Sequence, residues 1–355
     1  MPHVRALLAA LVVVATACGD RSVGDTLAPV EPSATPALCC GGNPSPWSVT
    51  TLTLPTGTWT ASAATGINDS GVVVGFVTVS GAQRRPVRWT NGVPAFLVVT
   101  TPQHWALANA INNGGDIVGQ MQWISGNASQ PVKPVRWLNP GTVQTLATLG
   151  WDGWAIDINS SRVAVGTSRA TSGGQQRAVK WSANGTITNL HPAGATWSRA
   201  QGINEQGEIV GVVDFGGSVH GWKWKPDNSS IDLGIVLNAT VPEINSTSEA
   251  IGTAVFLGVS QAVVWTPNGT PTGAQAGLGS IGTSISDGRR SIGVSGSTAW
   301  TWRFEASATT LPSPTGAGFS HVRDVNRCGT IVGHAGGGTL AMQVPVRWSK
   351  SVCDP

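Results

Sequence analysis

The sequence predicts an all-β chain, a seven-bladed β-propeller of four-stranded blades closed by its N-terminal strand pairing with the last blade. Three observations predict it. A nine-residue pattern recurs seven times at steps of 44, 47, 45, 41, 41 and 40 residues, within the range of about 40 to 50 that marks a propeller blade. A Trp follows the start of every copy by 17 to 26 residues. The last repeat stops short of a fourth strand, and an unclaimed strand signal stands ahead of the first.

The chain opens with His3 and Arg5, an apolar run from Ala6 to Ala15, and then Thr16-Ala17-Cys18. This reads as an export signal over 1–17, too short to span a bilayer at about 20 residues per crossing. Small residues followed at once by a cysteine resemble a bacterial lipobox, which implies a lipid on Cys18 and attachment to a membrane of the cell envelope at the outer membrane or cell surface. Without that modification the expectation is secretion. Residues 18–47 are rich in Pro, Ser, Ala and Gly and show no strand or helix period, so they read as a semi-extended tether. Residues 48–355 are the propeller.

The nine-residue copies begin at Ile67, Ile111, Ile158, Ile203, Ile244, Ile285 and Val325, and six of the seven keep Asn in second place. Each splits into strand a running into Ile-Asn, a tight turn in which Asn and Gly accept positive φ, and a continuous apolar strand b buried on both faces. Strand c ends at Trp89, Trp137, Trp181, Trp224, Trp265, Trp302 or Trp348, and strand d carries Leu, as at Leu146, Leu190 and Leu311. The final copy ends just after Trp348. Residues 49–54 therefore supply its strand d, leaving no free edge between the termini.

The Ile-Asn-x-x-Gly-x-Ile-Val-Gly runs and the segment His220-Gly-Trp-Lys-Trp224 resemble the HAF-type repeats of exported bacterial proteins, over about residues 59 to 349. Most units carry Pro-Val or Ala-Val where His-Ala-Phe would stand. The resemblance implies an extracellular repeat domain without an assigned activity.

Composition removes several classes. Charged residues make up 11% of the 355, below the roughly 25% of ordinary soluble domains, yet 41% apolar content is too high for disorder. A net charge of +3 without a basic stripe argues against nucleic acid. No motif for a nucleophile elbow, a zinc protease or a phosphate loop is present, and the Asn/Asp turns offer too few oxygens for calcium. No cofactor or metal is expected, and the chain reads as a monomer.

Of the five cysteines, Cys18 belongs to the signal, while Cys39, Cys40, Cys328 and Cys353 all fall near the closing seam. Either Cys328 and Cys353 pair alone, or both join Cys39 and Cys40 in two bridges. Seven tryptophans are strand-c anchors, and Trp59, Trp105, Trp154 and Trp197 fall at similar places before strand a, so most read as blade packing. The basic residue beside the strand-c Trp recurs too often to be one catalytic group and reads as a cover for the neighbouring blade.

The histidines supply the one asymmetry. His104, His191, His220, His321 and His334 all map to the end of the ring opposite the seam cysteines, together with Trp105, Trp151 and Asp152. With small residues making strand a innermost, those connections surround the channel mouth. The leading expectation is a non-enzymatic surface scaffold that binds a protein or glycan on this outward rim. The alternatives are a propeller enzyme acting on an extracellular glycan through His104, Asp152, His191 and His321, which requires two of these within about 5 to 8 Å, and a structural spacer of a surface layer.

Overall fold

Seven antiparallel sheets surround a central axis in the computed structural model. It describes residues 46–355 apart from 80–82, 101–103, 126–127, 140, 238–239, 257, 274–276, 304–306, 352 and 354–355, and apart from the side chains of 104, 123–125, 128–129 and 256. The signal, Cys18, Cys39 and Cys40 lie outside the described residues. No described helix is long and apolar enough to cross a membrane.

Blade 1 runs Ala61–Ile67, Val73–Thr78, Arg84–Thr90 and Val93–Phe96 in the order a-b-c-d. The remaining blades repeat that order with strands a at His104–Ile111, Asp152–Ile158, Trp197–Ile203, Glu243–Ile244, Ser280–Ile285 and Phe319–Val325. In blade 7, strand d is Ser48–Thr51, which pairs with Val344–Ser349 in the register Ser48 to Ser349 and Thr51 to Val346. The seam forms as the strand count predicts. It fixes two ends: a proximal one, with a-b and c-d turns, where the chain enters at Ser48, and a distal one, with b-c hairpins and d-a connections.

The nine-residue pattern now has a physical reason at each invariant place. The opening Ile or Val is buried in all seven blades and packs with strand b of the same blade in six, while Ile285 packs with Trp300 and Trp302 of its strand c and with blade 5. The Asn side chain links blades. Asn68 Nδ2 donates to the Asn112 carbonyl, Asn112 to Asn159, Asn159 to Asn204, Asn204 to Asn245, Asn245 to Ser286, and Asn326 back to Asn68. Each Oδ1 meanwhile accepts the backbone N–H four residues on, as Val163 N–H does with Asn159. The result is a nearly closed ring of amides around the proximal end, interrupted at Ser286, whose shorter side chain accepts from Arg290 N–H.

The fifth place, not the Asn, takes the positive φ: Gly71, Gly115, Gly207 and Gly329 lie between 75° and 83°. Where it is not Gly, the residue bridges blades instead. Arg162, at φ 62°, pairs with buried Asp116 of the preceding blade at 2.7 Å, and Arg289, at φ 59°, pairs with Glu249 at 2.5 Å. The ninth place faces a β-bulge in strand a, so a Cβ at Gly75, Gly166 or Gly333 would run into a strand-a carbonyl oxygen.

Strand-c tryptophans staple each blade to the one before. In six blades the indole N–H donates to a backbone carbonyl of the preceding d-a connection or strand, as Trp181 does to Ala147 at 2.7 Å and Trp348 to Pro312 at 2.7 Å. The basic neighbour reaches the other way. Arg136 and Lys223, both fully buried, donate to turn carbonyls of the following blade, at Arg162 and Ala183 and at Ser248 and Pro267. Cys328 is bonded to Cys353, tying the chain after the last strand to the a-b turn of blade 7.

Two details differ from expectation. Trp59 precedes strand a, Trp105 and Trp197 lie at its distal start, and Trp154 sits in its middle, so these four do not share one place. Blade 5 keeps only two residues of strand a, because Pro242 has no N–H to give the ladder.

Candidate functional site

The bulge that places the ninth Gly also aims a side chain at the axis. In six blades one strand-a residue falls outside the register: Thr65, Asn109, Ile156, Gln201, Thr283 and Arg323. All six line a distal cavity of about 520 Å³ on the channel axis. The next residue inward is small in blades 1, 2, 4 and 6 (Gly66, Ala110, Gly202, Ser284) and acidic in blades 3, 5 and 7 (Asp157, Glu243, Asp324). These three carboxyls form the floor of the distal cavity and also border a narrower proximal vestibule of about 140 Å³ edged by the amide ring.

Packed walls enclose the carboxyls even though water reaches them along the channel. Asp157 accepts the N–H groups of Ile158 and of Ile203 in the next blade at 2.7 and 2.8 Å. Asp324 accepts from Val325, from Ile67 of blade 1 and from the Ser284 hydroxyl. Burial nevertheless dominates and pushes Asp157 up to about 7, against those N–H bonds, with the charge of Asp324 adding to it. Glu243 is raised well above the usual carboxylate range by burial and then by the charges of Asp157 and Asp324, and Asp324 is raised by burial. The three groups therefore hold their protons to higher pH than ordinary carboxyls, and the charge of each one raises its neighbours. No described cluster of His, Cys, Asp and Glu has the spacing to hold a metal ion directly.

The cavity wall is cationic on the blade 7 and blade 1 side. The Arg323 guanidinium has no hydrogen-bond or carboxylate partner among the described residues, and burial pushes its pKa down. Arg84 lies over the Phe76 ring at 4.7 Å. His334 of strand b is 5% exposed, pairs in register with His321, and has a ring nitrogen, Nδ1, without a partner. Its ring centre is 5.4 Å from that of His321 and 6.0 Å from that of Phe319. Burial holds His334 down to about 3, with the charges of Arg323 and His321 adding to it, so it is neutral at pH 7. Burial also lowers His321.

The other rim residues do not converge on this site. His191 is tied within its own connection, Nδ1 to the Ser198 hydroxyl at 2.8 Å and Nε2 to the Ala195 carbonyl at 3.1 Å. His220 pairs with Asp232 at 2.9 Å, beside Phe215 and Trp222 on blade 4. Asp152 is 2% exposed and held by Arg169. The Trp105 ring lies 5.7 Å from the Arg84 guanidinium, and the Trp151 carbonyl accepts from Lys133. His104 opens strand a of blade 2, its side chain outside the described residues. Of the five histidines, His321 and His334 are brought together.

No protein-family model matches the sequence, and no curated protein matches it. Among solved structures the chain is similar to virginiamycin B lyase from Staphylococcus aureus, solved with quinupristin, at 10% identity and a TM-score of 0.56 over 85% of this chain and 99% of that one. It is also similar to the β-propeller domain of the trilobed protease from Pyrococcus furiosus, at 10% identity and a TM-score of 0.54, covering 83% of this chain and 100% of that domain. Puromycin hydrolase matches at 11% identity and a TM-score of 0.52, over 79% of this chain and 50% of that one. At these identities the likeness is one of fold.

Proposed function

We propose that this chain is an exported propeller of the HAF-repeat type, held to a cell-envelope membrane by a lipid on Cys18, whose distal end binds a protein or glycan ligand without transforming it. The observation that carries the reading is the contrast between the two ends. Proximally, where the chain enters, side-chain amides are spent on neighbouring carbonyls. Distally, the axial cavity is lined by Arg323, without a partner among the described residues, and by His334, whose buried Nδ1 has none. A spacer would not need that difference. An enzyme built on His104, Asp152, His191 and His321 would need them to converge, and both Asp152 and His191 are engaged elsewhere.

A glycan and envelope-protein array probed with the full-length chain tests the reading, with Thr283→Trp to fill the cavity and His191→Ala as a rim control. Saturable binding lost with Thr283→Trp and kept with His191→Ala is the expected result. Binding indifferent to Thr283→Trp, or lost only with His191→Ala, would place the site outside the axis. The tether has its own check: metabolic labelling with palmitate should mark the wild type and not Cys18→Ser.

A further inference from the structure

The distal cavity has a chemical polarity that narrows its ligand. Arg323 is the bulged residue of blade 7, where the other blades with a bulge carry Thr, Asn, Ile, Gln and Thr. It therefore places one positive charge in a wall that is otherwise neutral at that level. The Arg323 side chain is exposed to the channel and has no carboxylate partner among the described residues, so an anion arriving there would gain charge-assisted hydrogen bonds from its guanidinium. His334 points to the same corner independently. It is 5% exposed, lines the cavity, and has a ring nitrogen with no partner, a condition that buried polar groups rarely keep without a ligand or water.

The floor limits the charge of that anion. Asp157, Glu243 and Asp324 stand one residue deeper, while the cations of the wall are Arg323 and, over the Phe76 ring, Arg84, so each further negative charge on the ligand would be pressed toward three carboxyls. A single carboxylate matches the wall. The same floor favours hydroxyls for the rest of the ligand, because carboxyl oxygens accept from hydroxyl donors, whereas a hydrocarbon group would strip them of water. The side walls agree. Gln201 uses its Oε1 on Val241 N–H at 3.0 Å, while its Nε2 and the Thr283 hydroxyl have no partner among the described residues. A volume of about 520 Å³ lies within the roughly 300 to 1,000 Å³ usual for small-ligand sites and suits one or two sugar rings.

We propose that the distal cavity binds an acidic sugar of the uronate class, with its carboxylate on Arg323 and His334 and its hydroxyls on Gln201, Thr283 and the carboxyl floor. This rests on the reading of the distal end as a binding site and names the ligand for it. Titration calorimetry of the full-length chain with digalacturonate, maltose and N-acetyl-trialanine tests it, using wild type, Arg323→Gln and the cavity-filling Thr283→Trp. Digalacturonate should bind, maltose should bind at least about tenfold more weakly, and Arg323→Gln should cost roughly ten- to a hundredfold, the scale of a charge-assisted hydrogen bond. Thr283→Trp should abolish binding in a protein that still melts cooperatively. Maltose binding as well as digalacturonate, with Arg323→Gln silent, overturns the uronate while leaving an axial glycan site. Preference for the peptide overturns the sugar. Digalacturonate binding that ignores Thr283→Trp overturns both this inference and the axial site, and no binding of any probe by folded protein overturns the uronate.

Discussion

Asn159 shows what one residue of the repeat contributes. Its Nδ2 holds the Asn204 carbonyl of the next blade at 3.1 Å and its Oδ1 holds Val163 N–H at 3.0 Å, with the side chain buried. Replacing it with Ala removes both bonds and strands two buried backbone groups, so chemical denaturation of Asn159→Ala should show a loss of about 2 to 3 kcal/mol. Ser286, which lacks the link and holds only Arg290 N–H, should lose about half as much on replacement by Ala, about 1 to 1.5 kcal/mol. The recurrence of Asn was plain in the sequence, but its purpose was not. A turn residue and a blade-to-blade link look alike when the acceptor is a carbonyl 45 residues away. Arg162 carries a second residue-scale prediction. Gly at this position would relieve a positive φ worth up to about 1 kcal/mol, but would leave Asp116, 2% exposed, without its cation at a cost of roughly 1 to 3 kcal/mol. Arg162→Gly should therefore lower the denaturation midpoint. A rise would mean that backbone strain dominates.

Among the elements, the closing strand is the one whose role depends on the whole ring. Leu52 N–H donates to the Pro345 carbonyl, so by the two-residue alternation of a ladder Thr50 N–H points the same way. Thr50→Pro removes that donor and should open the seam, exposing the Val344–Ser349 edge. Size-exclusion chromatography should then show self-association, and a monomer as stable as wild type would contradict the seam. Reducing the Cys328–Cys353 bond, 25 residues apart, should cost about 3 kcal/mol by loop-closure entropy, read as a shift in the thermal melt. The seam could be read from sequence by counting strands, since the last repeat had three and the N-terminus one to spare. The shortened strand a of blade 5 could have been read from Pro242, whose missing N–H is a local property.

For the whole molecule, the carboxyl floor makes stability depend on pH. Asp157, Glu243 and Asp324 keep their protons to higher pH folded than unfolded, so the native state binds more protons between about pH 4 and 7 and stability falls as pH rises through that window. The lowered His334 acts in the opposite sense, losing stability on acidification below its unfolded value of about 6.5. Comparing two proteins that both retain it cancels that contribution. Glu243→Gln keeps the bond from Ile244 N–H and removes one of the three acids, so its melting temperature should drop less than that of wild type between pH 5 and pH 8. Equal drops would mean that the floor does not titrate in this range. The floor was only partly legible in the sequence. Each of the three acids stands directly before the start of a nine-residue copy, a signal present at blades 3, 5 and 7. In blades 3 and 7 a bulge stands directly before that place, and bulges leave no mark in the hydrophobic pattern. The histidines mapped to the end that holds the distal cavity, but polar residues favour exposed loops, and that preference hid which of them line it.

The account depends most on the distal mouth of the channel being where a ligand sits. Hydroxyl-radical footprinting with mass spectrometry, on free protein and on protein saturated with its tightest array ligand, tests this directly because reactive side chains stand at both ends. The account predicts that oxidation of Trp154, Ile281 and His321, which sit two residues outward of the bulged residue in their strands a, falls on binding. Trp47, beside Lys350 near the proximal end, should be unchanged. Protection of Trp47 with the distal side chains unaffected would contradict it.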